Sequence, residues 1–324
     1  MQSRALGPSD VHVSVVGLGC NNLGRVDTLT RTQQGATDVV VAALDAGVTF
    51  FDTADIYGAE YGLSETLLGE ALRGRREEAV IATKFGHQDF PSPLADLGPR
   101  GGRTYIRAAV EGSLRRLQTD RIELYQLHTP DPETPIEETL GALDELVREG
   151  KVRLIGHSNL ESDAIRAADD AAASLGTARF VSAQNEYSLL ARSAETRVLP
   201  AVRERGLSFL PFFPLANGLF TGNFSRTERP ADSRIGRQRP HIAENAPWDA
   251  IEAYEAFAAE RGIGILEATF GWLLARPELS SVIAGATRPE QIVANARAGS
   301  GWRPTADEVA AIDALFPATT PSAD

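Results

Sequence analysis

Eight times along the chain, a short run of β-branched or aromatic residues that ends in polar ones is followed by a longer segment of helical period. The short runs are VSVVGL, VTFFD, AVIATK, IELYQLH, VRLIGHS, FVSAQN, LSFLPF and SVIAG. The helical segments include TDVVVAALDAG, which stops at Gly47, and PIEETLGALDELVREG, with a proline near its start, acids early and Gly150 at its end. Further helices are predicted over SETLLGEAL, YIRAAVEGSLRRL, residues 162–175, residues 196–205, LEATFGWLLA and PEQIVANA. The short runs are apolar on both sides of the pleat, as parallel strands covered on both faces must be. Eight such units predict a (β/α)8 TIM barrel rather than an open doubly wound sheet, and no G-x-G-x-x-G turn follows the first run. A length of 324 residues alone admits two domains, but one barrel uses the chain as a single domain over 1–324.

Outside the alternation, the GPSD segment predicts an N-terminal β-hairpin over 4–13, and TADE opens a C-terminal extra helix over 305–316 with a capping box. Residues 221–247 carry five arginines and three prolines without periodicity, which predicts a long loop, either a functional lid or a mobile segment. Composition narrows the function classes. A net charge of −12 argues against general nucleic-acid binding while leaving room for a local basic pocket. The lone Cys20 excludes a disulfide framework or a multi-cysteine metal site, and no metal is expected. No run of eighteen apolar residues and no apolar signal core at the N-terminus lead to the expectation of a cytoplasmic protein with no membrane partner.

Barrels of this kind place chemistry at the C-terminal ends of their strands. There the chain offers Asp52 with Tyr57 in the following loop, then Lys84, His128, the trio His157, Ser158 and Asn159, and Gln184 with Asn185. Lys84 is expected to pair with Asp52, offsetting the desolvation of both, and to lower the pKa of Tyr57. A phenol tuned in this way delivers a proton to a carbonyl oxygen, with His128 donating a hydrogen bond to the same oxygen. Proton delivery without a metal cluster points to hydride from a cofactor.

The segments FFDTADIYG, ATKFG, YQLHTPD, GKVRLIGHSN, AQNEYSLL, PFFPLANGLFTG and IAGATRPEQIVANA occur in this order over nearly the whole chain, which resembles the aldo-keto reductase superfamily. The resemblance implies a catalytic tetrad of Asp52, Tyr57, Lys84 and His128, with Ser158, Asn159 and Gln184 holding a nicotinamide carboxamide. It puts Phe212 where the family commonly stacks a tyrosine on the nicotinamide, and Leu215, Gly218 and Asn223 beside the pyrophosphate. Gly19 and Asn21 are expected to present backbone to the nicotinamide. Thr129 stands where a large aromatic residue often narrows the substrate pocket, which implies a roomier one, and Phe213 replaces a common serine. In the last strand–helix loop, Arg288 beside Thr287 is expected to clamp a 2′-phosphate at a helix start, with Gln291 and Asn295 following toward adenine or ribose. This implies NADP(H); NAD(H) is the alternative, because Gly285 stands where some relatives carry a phosphate-binding lysine.

The expected activity is reduction of an aldehyde or ketone, with sugar or secondary-alcohol oxidation as one alternative and a nicotinamide-sensing regulatory subunit as another. Substrate, direction and oligomeric state are not readable from the chain. The remaining polar residues receive structural readings. His157 is expected to pack, His12, His87 and His241 to sit on the surface or in loops, Cys20 to line the pocket, and Asp131 and Glu133 to shape a turn and a helix start.

Overall fold

The computed structural model describes residues 1–318 except Asp232, a member of the long loop. Strands β1 (Ser3–Ala5) and β2 (His12–Ser14) pair antiparallel, Ser3 against Ser14 and Ala5 against His12, as the hairpin expectation required. Its turn is held by Leu6 N–H donating to the Val11 carbonyl at 2.9 Å. Gly7 sits there at φ 53°, and a Cβ on it would lie 2.5 Å from the Val181 carbonyl oxygen, so only glycine fits. Leu6, Val11 and Val13 bury themselves among Phe50, Ala82, Leu124, Val181, Leu210 and Ile283. These residues fill the interior of the barrel at the N-terminal ends of its strands, so the hairpin stops that mouth. The Arg4 guanidinium fastens it by donating to the carbonyls of Leu274 and Leu279 at 2.8 and 2.5 Å.

The barrel strands are β3 (Val16–Gly19), β4 (Phe50–Asp52), β5 (Val80–Phe85), β6 (Ile122–Leu127), β7 (Val152–Ser158), β8 (Phe180–Glu186), β9 (Ser208–Phe212) and β10 (Val282–Gly285). They pair in parallel in the order β10-β3-β4-β5-β6-β7-β8-β9. The circle closes just before β10, where Phe209 N–H donates to the Glu278 carbonyl at 2.8 Å and Ser280 N–H to the Phe209 carbonyl at 3.3 Å. Helices flank the sheet, and the main core lies between the two layers. The last helix, Ala306–Leu315, carries the predicted capping box, with Thr305 N–H donating to Glu308 Oε2 at 2.8 Å and Glu308 N–H to Thr305 Oγ1 at 3.3 Å.

Four expectations need correction. VSVVGL is divided between hairpin and barrel, because the Ser14 hydroxyl accepts from the Thr49 and Phe50 N–H groups and donates to the Val16 carbonyl, turning the chain between them. The helix expected over 196–205 breaks into Ala194–Arg197 and Leu199–Arg205, since Pro200 has no N–H to continue the ladder. The 221–247 stretch is not wholly irregular. It holds short helices at Arg234–Gln238, whose Ser233 cap accepts from Gly236 N–H at 2.9 Å, and at Pro240–Glu244. Elements of little more than one turn leave no period to read. Finally, Trp248–Ala259 is a helix beyond the eight units, anchored by Tyr254 stacking edge-on to Phe220 and Phe316.

Candidate active site

Register brings the strand-end residues together. Asp52 ends β4, and Lys84 on β5 lies directly across from Gln126 on β6. Ser158 at the end of β7 is paired with Gln184 on β8. Lys84 and Asp52 are 0% and 3% exposed, and the ammonium reaches the two carboxylate oxygens at 2.8 and 2.7 Å and the Thr53 carbonyl at 2.9 Å. Gln184 donates its amide to Asp52 Oδ1 at 2.9 Å, and Gln126 does so at 3.4 Å. A charge pair removed from water survives only with this degree of hydrogen bonding. The Tyr57 hydroxyl stands 3.4 Å from Lys84 Nζ, which lies 5.0 Å from the centre of the Tyr57 ring. His128 follows β6 and meets the Tyr57 ring edge-on at 5.8 Å.

The protonation states differ from the simplest electrostatic expectation. Burial alone would lower the Lys84 ammonium, but Asp52 and Tyr57 together outweigh it and hold Lys84 above the usual lysine range. Tyr57 is pushed up, not down: burial raises the phenol, and Lys84 offsets only part of that rise. The expected lowering fails because burial of the phenol outweighs the pull of Lys84, and the Asp52 charge adds to the rise. His128 lies well below the ordinary histidine value, driven by burial and then by the charges of Lys84 and His87, so its ring is neutral at pH 7. Its Nδ1 is buried with no hydrogen-bond partner among the described residues.

Asp52, Tyr57 and His128 line a cleft of about 1290 Å³, with Lys84 buried behind them. Of the residues expected at a cofactor, Gly19, Asn21, Ser158, Asn159, Gln184 and Phe212 line it near the strand ends. Leu215, Gly218, Asn223, Gly285, Thr287, Arg288 and Gln291 line its further reach. Gly218 adopts φ 109° with nothing within 4 Å of where a Cβ would point, so the backbone itself faces open space. Asn159, at φ 62°, donates to the His128 carbonyl at 2.9 Å and to Ser158 Oγ at 3.1 Å, while Ser158 donates to the Gln184 carbonyl at 2.8 Å. Gln291 caps its own helix, Pro289–Ser300, accepting from Thr287 and Arg288 N–H at 2.8 and 3.1 Å.

Several expectations do not hold here. Thr129 is absent from the wall; its hydroxyl donates to the Gly86 carbonyl and accepts from Gln88 N–H, tying down the loop after β5. That loop instead presents His87 and Phe90 to the cleft, with the His87 ring 4.6 Å from His128 and 4.7 Å from Phe90. His87 is therefore a cleft residue rather than a bystander, and the aromatic narrowing comes from a neighbouring loop. Asn295 is buried beneath the helix and does not line the cleft. Cys20 is fully buried in the main core, where burial pushes its thiol up, so it neither lines the cleft nor reacts. His157 packs edge-on to Phe180, and burial alone lowers it to about 3, in keeping with the packing expectation. Asp131 shapes a turn, accepting from Glu133 N–H at 3.0 Å and Thr134 Oγ1 at 2.7 Å.

Sequence reasoning also missed Gln126, although it lies two residues before His128 and so shares its side of the strand. The second acid of FFDTADIYG was missed as well. Asp55 accepts from the Tyr61 hydroxyl at 2.8 Å, and its N–H donates to the Lys84 carbonyl at 3.1 Å. Burial and the nearby Glu65 raise its carboxyl to about 7. The folded pKa exceeds the unfolded one, so between about pH 4 and 7 the folded state holds a proton that the unfolded state has lost, and this group's contribution to stability falls as pH rises. Asp55→Asn should therefore lose that part of the slope. Melting temperatures from pH 4.5 to 8 check this, and an unchanged slope would show that Asp55 is ionised throughout.

Comparison with known proteins gives consistent matches. The model of the Aldo/keto reductase family matches residues 15–316. The chain is 33% identical over 321 residues to "Uncharacterized oxidoreductase YqkF" of Bacillus subtilis (strain 168), covering 96% of this chain and 95% of that protein. It is 38% identical over 303 residues to "Uncharacterized oxidoreductase YrpG" of the same organism, covering 90% and 89%. It is 34% identical over 300 residues to "Probable aldo-keto reductase 1" of Glycine max, covering 91% and 83%.

Proposed function

Because the chain belongs to the aldo/keto reductase family, we propose that it reduces an aldehyde or ketone to an alcohol with NADP(H), the whole chain working as one catalytic domain and Tyr57 as general acid. The observation that carries this reading is the Tyr57 hydroxyl, open to the cleft, 3.4 Å from a lysine held by a buried carboxylate. When bound, a nicotinamide supplies the hydride to the carbonyl carbon. Tyr57 places its proton on the carbonyl oxygen, and neutral His128 orients that oxygen. A phenol keeps its proton at neutral pH, so Tyr57 carries the proton that reduction consumes, and Lys84 offsets part of the loss of acidity that burial causes. Lys84, held in place by Asp52, positions the phenol and limits its rise.

The cleft suits a dinucleotide. Its volume exceeds the roughly 300–1,000 Å³ of ordinary small-molecule sites. Phe212 offers a ring at the reacting end, the Gly218 backbone faces the middle, and the start of the helix Pro289–Ser300 carries Thr287 and Arg288 at the far end. Arg288 beside a helix start fits a 2′-phosphate. Gly285 favours the alternative, NAD(H), since it offers no side chain to a phosphate.

Parallel fluorescence titrations with NADPH and NADH, followed by an aldehyde and ketone panel, test the reading. Loss of a charge-assisted hydrogen bond costs about 1.5–3 kcal/mol, so Arg288→Ala should weaken NADPH by about 10- to 100-fold and NADH by much less. Equal weakening of both nucleotides would remove Arg288 as the phosphate clamp. Tighter NADH than NADPH binding by the unaltered protein would shift the assignment to NAD(H).

A further inference from the structure

The loop that leaves β5 is held from outside at three points. Gly86 turns it out of the strand at φ 79°. Thr129 then secures it on both sides of His87, its hydroxyl donating to the Gly86 carbonyl at 3.2 Å and accepting from Gln88 N–H at 3.1 Å. Further on, Arg100 donates to the Phe90 carbonyl at 2.8 Å. Of the stretch 86–90 fixed in this way, His87 and Phe90 are the residues that line the cleft.

The His87 ring is fixed as well as its backbone. It stands edge-on between two other rings, 4.6 Å and 77° from His128 and 4.7 Å and 90° from Phe90. Asp89 N–H donates to His87 Nδ1 at 3.3 Å. A neutral imidazole that accepts at Nδ1 carries its hydrogen on Nε2. Burial lowers His87 below the usual histidine value and outweighs the pull of Asp89, so the ring is neutral at pH 7. Among the described residues no acceptor meets its Nε2–H. Phenylalanine would fill the same slot between two rings; only an imidazole adds a donor there.

His128 Nδ1 is sealed away, so that ring meets the cleft through Nε2. Tyr57 and His128 already serve the carbonyl oxygen, and His87 stands one ring further along the same wall. The wall therefore offers one hydrogen-bond donor more than a lone carbonyl uses. Resting on the carbonyl-reductase reading above, we infer that His87 sets specificity: its Nε2–H takes a second oxygen on the carbon next to the carbonyl, so the preferred substrates are α-hydroxy or α-keto aldehydes and ketones. The two oxygens sit on adjacent carbons, as the two imidazoles sit side by side. Phe90, 48% exposed and packed against His87, offers an apolar surface to what lies beyond that oxygen.

The test uses near-isosteric pairs that differ in the second oxygen: hydroxyacetone against butanone, and diacetyl against methyl isopropyl ketone. A neighbouring oxygen also activates a carbonyl by itself. The quantity read is therefore the kcat/KM ratio within a pair, compared between the unaltered enzyme and His87→Phe, in which intrinsic reactivity cancels. The ratio should fall by about 3- to 10-fold in at least one pair, as expected for one neutral hydrogen bond, and the pair that moves more tells hydroxyl from carbonyl. His87→Gln keeps a donor and should recover part of the ratio. Thr129→Val keeps His87 but unties its loop, and should shift the ratio in the same direction; it carries the comparison if His87→Phe fails to fold. A ratio unmoved, including one in which both members of a pair fall alike, would overturn the inference, since the ring would then only shape the wall. If neither these ketones nor benzaldehyde is reduced, the reductase reading fails on its own. Calorimetric titration of hydroxyacetone and butanone into the NADP-loaded protein then decides the site. Tighter binding of hydroxyacetone that His87→Phe abolishes supports it, and equal binding of the two, or none, overturns it.

Discussion

Tyr57→Phe is expected to lower kcat by about 10²- to 10⁴-fold, the range that a positioned general acid contributes. The substitution removes one oxygen and keeps the ring that meets His128 at 5.8 Å and lies 5.0 Å from the Lys84 ammonium. NADPH affinity and melting temperature should therefore stay near those of the unaltered protein, which separates a chemical loss from a folding one. Steady-state turnover measured beside a fluorescence titration provides the check. Turnover within a few-fold of the unaltered enzyme would show that another group delivers the proton, with His128 next to be tested.

The second large effect concerns stability. Lys84→Met leaves Asp52 buried with the amides of Gln184 and Gln126 but no counter-charge. Breaking a buried pair from one side costs about 3–5 kcal/mol, because the remaining charge stays desolvated. The double variant Asp52→Asn, Lys84→Met removes both charges and should regain much of that loss while remaining inactive. Urea unfolding of the three proteins, at a matched pH, measures the difference. A single variant as stable as the unaltered protein, or a double variant no better than the single, would refute the picture of an ion pair isolated from solvent. A buried ion pair adds little net stability, so what Asp52 and Lys84 contribute is an ammonium fixed 3.4 Å from the Tyr57 hydroxyl.

Much of the site is legible in the chain because strand ends obey a simple rule. Asp52, Lys84 and His128 each close an apolar run, and a parallel barrel brings all such ends to one face. What depends on loop paths is not legible. His87 reaches the cleft and Thr129 does not because the loop after β5 folds back onto Thr129, a long-range contact with no periodic signature. Cys20 lies one residue from the cleft wall at Gly19, yet it turns into the core. The sign of the Tyr57 shift escapes a reading of neighbours alone, since it depends on how deeply the fold buries the phenol. The arginines of the long segment read as a composition, but their convergence on Phe213 belongs to three dimensions.

The hairpin at the opposite mouth has a bearing on all of this. With Leu6, Val11 and Val13 wedged between Phe50 and Leu124, solvent has no rear entrance to the barrel. The dielectric around Asp52 and Lys84 is thus governed at both ends of the barrel, by whatever fills the cleft in front and by fourteen residues behind that touch no reactant. Those residues belong to the chemistry as its insulation.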